Sequence, residues 1–181
     1  MRITVFCGSS RRSGEPYVSA AAAVGREIAR RGHALVYGGG RTGLMGTVAD
    51  AVLEGGGQVH GVILAAFVAA DVHHRGLTAL HETSDMRQRK AGLDGRADAF
   101  IALAGGLGTL EELAEILSFR KLGFHQRPMV LLNTAGFWDP LVAQVDRFVE
   151  TRFDKPAVRD YWRVTDDPSR AVSLCEERDD A

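Results

Sequence analysis

Cysteine is nearly missing from this chain, with only Cys7 and Cys175 among 181 residues. That argues against a disulfide framework and against a cysteine-based zinc site. Long apolar runs are missing too. None approaches the roughly 20 residues of a membrane-spanning helix. A signal-peptide core is not expected, because Arg11, Arg12 and Gly14 follow closely on a short apolar stretch. Neither sign of charge is in excess: 22 Lys and Arg against 23 Asp and Glu leave a formal net charge of −1. Such a balance gives no electrostatic footprint for nucleic acid or an anionic membrane. No G-x-S-x-G elbow presents a serine nucleophile, and no lysine follows a glycine loop as a phosphate-cradling ATPase would need. The histidines, including His73, His74 and His81, lack a ligand spacing such as H-E-x-x-H. Neither a metal nor any other cofactor is expected. A reducing, cytoplasmic setting is expected.

Glycine, by contrast, is abundant at 21 residues, and it gathers where apolar runs end. Ile3 to Cys7, Ala34 to Tyr37, Val59 to Leu64, Leu77 to Thr83, Ala99 to Leu103 and Met129 to Asn133 read as strands. Between them lie helical stretches. Tyr17 to Arg31 is closed by Gly32, and Leu44 to Leu53 by Gly55-Gly56-Gly57. Asp85 is placed to cap a helix through Arg96, and Leu110 to Phe119 forms another. Asp139-Pro140 opens a helix to about Phe153, and Asp167-Pro168 repeats the device before a terminal helix that frays from Glu176 to Ala181. Ala65 to Gly76 reads as a loop with a helical piece over the site. Strands alternating with helices imply an α/β fold, a Rossmann-like parallel sheet with helices on both faces. The short connections leave no room for a linker, so residues 1–181 are expected to form a single domain, with 155–181 as its C-terminal extension. Ligands are expected at the carboxyl ends of the strands.

One stretch organises the chemistry: Ala104-Gly105-Gly106-Leu107-Gly108-Thr109-Leu110-Glu111-Glu112. Strand, glycine turn and helix start expose backbone N–H groups at a positive helix end, where an anion can sit. Glu111 and Glu112 bring carboxylates within one turn of that anion. Gly38-Gly39-Gly40-Arg41-Thr42-Gly43 matches G-x-G-x-x-G, yet it follows the second strand, and Gln58 to Ala70 holds no acid to bind a ribose. A dinucleotide site is therefore disfavoured, while a close backbone approach to some ligand is not. Arg87, Arg89 and Lys90 crowd a helix start, where cations are disfavoured by roughly 0.3–1 kcal/mol. They form either a solvated basic face or the countercharge of the anion site. On the helix after the glycines, Leu110, Leu113, Ala114 and Leu117 make a stripe expected to face the sheet. Glu112 falls roughly opposite, beside Ile116 and Phe119. A helix apolar on two faces implies a second copy packed there, so a homodimer or larger assembly is expected. Glu112, partly buried at that boundary, becomes a candidate general acid or base.

These residues resemble the Lonely guy (LOG) family of cytokinin riboside 5′-monophosphate phosphoribohydrolases, often mislabelled lysine decarboxylases. Ala104 to Glu112 is similar to the family's P-G-G-x-G-T-x-x-E signature, and Met86 to Lys90 to its M-x-x-R-K motif. Val5-Phe6-Cys7-Gly8-Ser9-Ser10, Tyr37-Gly38-Gly39-Gly40 with Gly43-Leu44-Met45-Gly46, and Leu131-Leu132-Asn133 match in order and spacing. The likeness spans residues 2 to 155. It implies cleavage of the N-glycosidic bond of an (N6-substituted) adenosine 5′-monophosphate to free base and ribose 5-phosphate. Carried over by position, Arg89 and Glu112 are the catalytic pair. Gly105, Gly106, Gly108 and Thr109 hold the phosphate, with Glu111 and Lys90 near ribose and phosphate. Gly8, Ser9, Ser10, Gly39, Arg41, Asp71 and Met86 complete the substrate site. Three departures bear on substrate preference rather than chemistry: Ala104 for the motif proline, Met86-Arg87-Gln88 for M-H-E, and Asp71 where Glu is frequent. The alternative is a non-catalytic carrier of a phosphate-bearing cofactor or nucleotide on the same scaffold. Pyridoxal-dependent decarboxylation fails because no lysine has a Schiff-base setting.

Overall fold

The first strand, β1 (Arg2–Phe6), lies in the middle of a seven-stranded sheet. In the computed structural model, which describes residues 1–177, β2 (Ala34–Tyr37), β3 (Gln58–Leu64) and β4 (Ala79–Thr83) succeed one another on one side of it. β5 (Ala99–Ala102), β6 (Met129–Leu132) and β7 (Arg163–Thr165) do so on the other. The order is β4-β3-β2-β1-β5-β6-β7, and every neighbouring pair is parallel. Winding therefore reverses between β1 and β5. At such a switch point the loops leave in opposite directions, and a crevice opens outside the strand ends.

Buried strands alternate their side chains between the two faces, and each face acquires its own core. Ile3, Val5, Leu35 and Ile101 point to α1 (Tyr17–Arg30), α2 (Gly43–Glu54) and α7 (Pro168–Glu176). Phe6, Val36, Phe100 and Leu131 point to α4 (Met86–Asp94), α5 (Leu107–Lys121) and α6 (Asp139–Glu150). A short helix, α3 (Ala65–Ala69), follows β3 and buries none of its residues. One polar side chain interrupts the second core: Thr4, fully buried, donates its hydroxyl to the Leu93 carbonyl at 3.0 Å.

Several sequence expectations need correction. β7 went unread, because three residues with one half-exposed valine carry no periodic signal. The fourth helix stops at Asp94, since Gly95 caps it, rather than running to Arg96. Asp139 is the first helical residue and not the cap; its carboxylate instead accepts from Asn133 Nδ2 at 2.7 Å. Asp167 does cap α7, accepting from the N–H groups of Ser169 and Arg170 at 2.8 and 3.3 Å. The fraying expected toward Ala181 falls beyond the described residues from 178 onward.

The largest correction concerns α5. Its buried residues are Thr109, Glu112, Leu113, Ile116 and Arg120, whereas Leu110 and Ala114 are exposed. Leu113 and Leu117 of the expected stripe do pack into the core, but Ile116 and Phe119 from the other face join them there. Ile116 packs into the core with Leu113. It is therefore not a free face for a second copy, and Phe119 is packed against the same core.

Replacing Asp167 by Ala removes both acceptor contacts at the start of α7. The expected loss is about 1 kcal/mol, read as a lower urea midpoint with an unchanged slope.

Candidate active site

The crevice is built by two loops held together by main chain. Gly8 N, after β1, donates to Ala104 O, after β5, at 3.0 Å. The loops come this close because Gly105 has no side chain: a Cβ there would lie 2.1 Å from Thr109 Oγ1. Gly106 then opens α5 without any side-chain cap, so the first-turn N–H groups are available at the positive end of the helix. Thr109 is buried in that first turn, its hydroxyl over the glycines. The arrangement can bind an anion with backbone groups alone.

Glu112 follows one turn later. It is 8% exposed, and Arg89 from α4 is 6% exposed. Arg89 Nη1 donates to Glu112 Oε1 at 2.8 Å. The guanidinium lies against the backbone of Gly38, where a Cβ would be 2.2 Å from Nη2. That contact explains one glycine of the Gly38-Gly39-Gly40 turn: it leaves room for a cation. Burial raises the pKa of Glu112, with Glu111 adding to it, while Arg89 and then Lys90 oppose the rise. Burial and the nearby Glu112 charge also hold the Cys7 thiol well above its ordinary range, so it stays protonated. Lys90 sits outside this pair, bridging Glu111 at 2.5 Å and Glu115 at 3.2 Å. The basic run at the start of α4 thus divides, with Arg89 turned inward and Lys90 neutralising the rim.

A cavity of about 550 Å³ occupies the crevice. It is lined on the β1 and β5 side by Gly8, Ser9, Ser10, Gly106, Gly108 and Thr109, and at its centre by Arg89, Glu111 and Glu112. Toward β3 and β4 the lining is apolar: Ile63, Phe67, Val72 and Met86, with Met45 from α2. Ten residues expected at the site therefore converge on one cavity. Five others lie off its wall. Gly105 is behind the cradle, against Gly8 and Thr109. Gly39 accepts from His74 N at 2.9 Å. Arg41 reaches Asp71 at 3.5 Å and lines an adjoining cleft with Arg11. Asp71 is engaged by Arg75 at 2.8 Å, and Lys90 by its glutamates.

Cys7, Gly38, Gly40, Thr42 and Met45 line the cavity without having been singled out, although their places within the quoted motifs would have revealed them. Phe67 and Val72 had no such signal. They belong to a strap, residues 65–75, that crosses to the Gly38-Gly39-Gly40 turn, where Arg41 N donates to Val72 O at 3.2 Å. Among the described residues no cluster of three or more His, Cys, Asp or Glu could hold a metal. None of the described helices is long and apolar enough to cross a membrane.

Comparison with known proteins adds four findings. The family model described as "Possible lysine decarboxylase" matches residues 45–175. A cytokinin riboside 5′-monophosphate phosphoribohydrolase of Rhodococcoides fascians is 45% identical over 172 residues, covering 94% of this chain and 87% of that protein. The probable cytokinin riboside 5′-monophosphate phosphoribohydrolase LOGL2 of Oryza sativa subsp. japonica is 42% identical over 97% of this chain and 72% of its own. Among solved structures, a molybdenum cofactor binding protein from Rippkaea orientalis superposes with a TM-score of 0.73 at 22% identity, covering 97% of this chain and 94% of that one. That likeness shows the fold alone.

The Glu112 carboxyl should titrate above the ordinary glutamate range by carboxyl-carbon NMR, and higher still in Arg89→Met. A carboxyl that titrates normally in the wild-type protein would contradict an environment dominated by burial.

Proposed function

We infer the reaction from the family to which this chain belongs, that of the cytokinin riboside 5′-monophosphate phosphoribohydrolases, the LOG family. The protein hydrolyses the N-glycosidic bond of N6-substituted adenosine 5′-monophosphates, releasing the free cytokinin base and ribose 5-phosphate. The observation that carries this reading onto particular residues is the buried Arg89–Glu112 pair at 2.8 Å, one helical turn from an uncapped glycine-rich helix start.

In the proposed assignment the 5′-phosphate lies on the N–H groups of Gly106, Gly108 and Thr109, with Gly105 allowing the close packing behind them. Glu111 and Lys90 stand toward the ribose and phosphate. Ser9 and Ser10 face the nucleoside together with Met86, and Gly8 closes the loop beside them. Gly39, Arg41 and Asp71 support the site from behind the wall. Cleavage passes through an oxocarbenium-like centre at C1′. The C1′–N9 bond breaks, its electron pair and a proton go to the base, and water supplies the hydroxyl to C1′. Ionised Glu112 stabilises the positive centre and accepts the proton of the attacking water, and that proton, passed on through solvent, is the one the base takes up. Arg89 fixes the orientation of that carboxylate and offsets its repulsion from the phosphate.

The same cradle could serve a carrier of a phosphate-bearing cofactor. A carrier has no use for a carboxylate desolvated beside its anion site, at a cost of several kcal/mol per ion. Decarboxylation through a lysine Schiff base is disfavoured, since no lysine lines the cavity. A homodimer is supported by the free face of α5, where Leu107 is 85% and Leu110 39% exposed, and by Phe124 beyond its end at 72%. Apolar area of this kind marks an interaction surface. Two buried, unpaired cysteines suit a reducing, cytoplasmic location.

Purified protein should release base and ribose 5-phosphate from N6-(isopentenyl)-AMP with no added cofactor, as followed by chromatography. Glu112→Gln should lower kcat by about 10²–10⁴-fold with little change in nucleotide affinity. A variant with near wild-type kcat would remove Glu112 from the mechanism. Leu110→Asp should yield monomers in sedimentation velocity runs.

A further inference from the structure

The two helices that carry the proposed catalytic pair are tied together again at their far ends, about one residue. Arg127 lies between α5 and β6. Its Nη1 donates to the carbonyls of Asp94 at 2.7 Å and Ala97 at 3.3 Å, and its Nη2 donates to the Asp94 carboxylate. Asp94 is the last residue of α4. On the other side, the Arg127 carbonyl accepts from Nη1 of Arg120 at 2.8 Å. Arg120 is buried on the same face of α5 as Glu112, two turns further on. The Arg127 guanidinium also sits over the ring of Phe100, 4.7 Å from its centre, and Phe100 belongs to β5, the strand that leads into the cradle.

α4 has need of such a brace. It is nine residues long, buries only Arg89 and Leu93, and is shorter than an isolated helix can be and persist in water. Leu93 is its one buried apolar side chain, so polar contacts at its carbonyl end add to what fixes its position. Thr4 holds Leu93 O at 3.0 Å and Arg96 holds Gly92 O at 3.1 Å, but both contacts reach α4 alone. Among these contacts, that of Arg127 joins α4 to α5. It does not line the cavity.

We propose that Arg127 is a positioning residue: by bracing the far ends of α4 and α5 against β5, it sets the approach of Arg89 to Glu112. The proposal rests on the reading of that pair as catalytic. When the brace is lost, the carbonyl end of α4 keeps only Leu93 packing and the Thr4 and Arg96 contacts, while Lys90 still ties its middle to Glu111 and Glu115; the end of the helix shifts, and Arg89 is held less closely to the carboxylate. The groups facing Glu112 are Arg89 and Lys90 from α4, Glu111 from its own helix and Cys7 from the end of β1. With Arg89 loosened, burial and Glu111 favour the protonated acid, and Lys90 is left to oppose them. The pH at which Glu112 ionises therefore moves up, and the acid limb of the rate profile moves with it.

The test is the pH profile of base release from N6-(isopentenyl)-AMP by Arg127→Met, which keeps an apolar stem on Phe100 but no donors. Asp94→Asn weakens the same brace from the α4 side and carries the test if the methionine variant does not fold. Positional errors of this kind lower rate steeply, so kcat should fall about tenfold or more. Inhibition by ribose 5-phosphate, which reports the cradle, should stay within about threefold, and the acid limb should shift to higher pH. An unchanged kcat overturns the proposal. So does a fall in kcat with an unmoved acid limb, because that is the signature of lost folded protein. A wild-type protein that released no base would overturn the reaction and leave the brace open to NMR. In that case Arg127→Met must still raise the titration of Glu112.

Discussion

A carboxylate buried beside an anion site is held there against two penalties, and Arg89 answers both. Desolvation raises the pKa of Glu112. A phosphate one turn away would push in the same direction. Unit charges about 4 Å apart interact by about 4 kcal/mol at an effective dielectric constant near 20, so an unopposed anion pair there would be unstable. The guanidinium at 2.8 Å supplies attraction of that order and, as a planar donor, also fixes the direction of the carboxylate. Much of the local structure follows from admitting that cation: glycine at position 38, the inward turn of α4, and the assignment of Lys90 to the outer glutamates instead of Arg89. As stabilisation, a buried ion pair of this kind is close to neutral. Its retention is best understood through the chemistry.

The fold was legible because its signals are redundant. Apolar runs of four to six residues, glycines at their ends and helices between them leave few alternatives to a parallel sheet. The cradle and Arg89–Glu112 were equally legible, since each lies within a contiguous motif. What escaped depended on tertiary choice. A helical wheel does not show that the core takes Ile116 and Phe119 together with Leu113 and Leu117 and leaves Leu110 and Ala114 outside; packing with Phe6 and Phe100 decides it. β7 consists of three residues and is a strand because β6 offers it an edge. Phe67 and Val72 reach the cavity through a strap whose course is set by hydrogen bonds to another loop, a relation with no local trace in sequence. Arg41 and Asp71, expected at the substrate, engage each other beside the wall.

The position of the cavity has a similar logic. Polar groups come from the loops after β1 and β5, because the switch point delivers two strand ends and a helix start to one place. Apolar groups come from β3 and from beyond β3 and β4, where α3 buries nothing and its Phe67 stands in the crevice. The strand order thus sorts the wall into an end suited to phosphate and sugar and an end suited to an apolar substituent, with the acid between them.

The strap's attachment has one more consequence. Its hold on the rest of the fold combines main-chain hydrogen bonds, from Arg41 N to Val72 O and from His74 N to Gly39 O, with side-chain contacts of Asp71 to Arg41 and His74 to Asp50, and none of these uses the side chain of Phe67 or Val72. Phe67 and Val72 can therefore be exchanged over evolutionary time without releasing the strap or disturbing Arg89 and Glu112. The apolar part of the wall is thus mechanically separate from the Arg89–Glu112 pair. A scaffold of this design can diversify in what it accepts while its chemistry stays fixed.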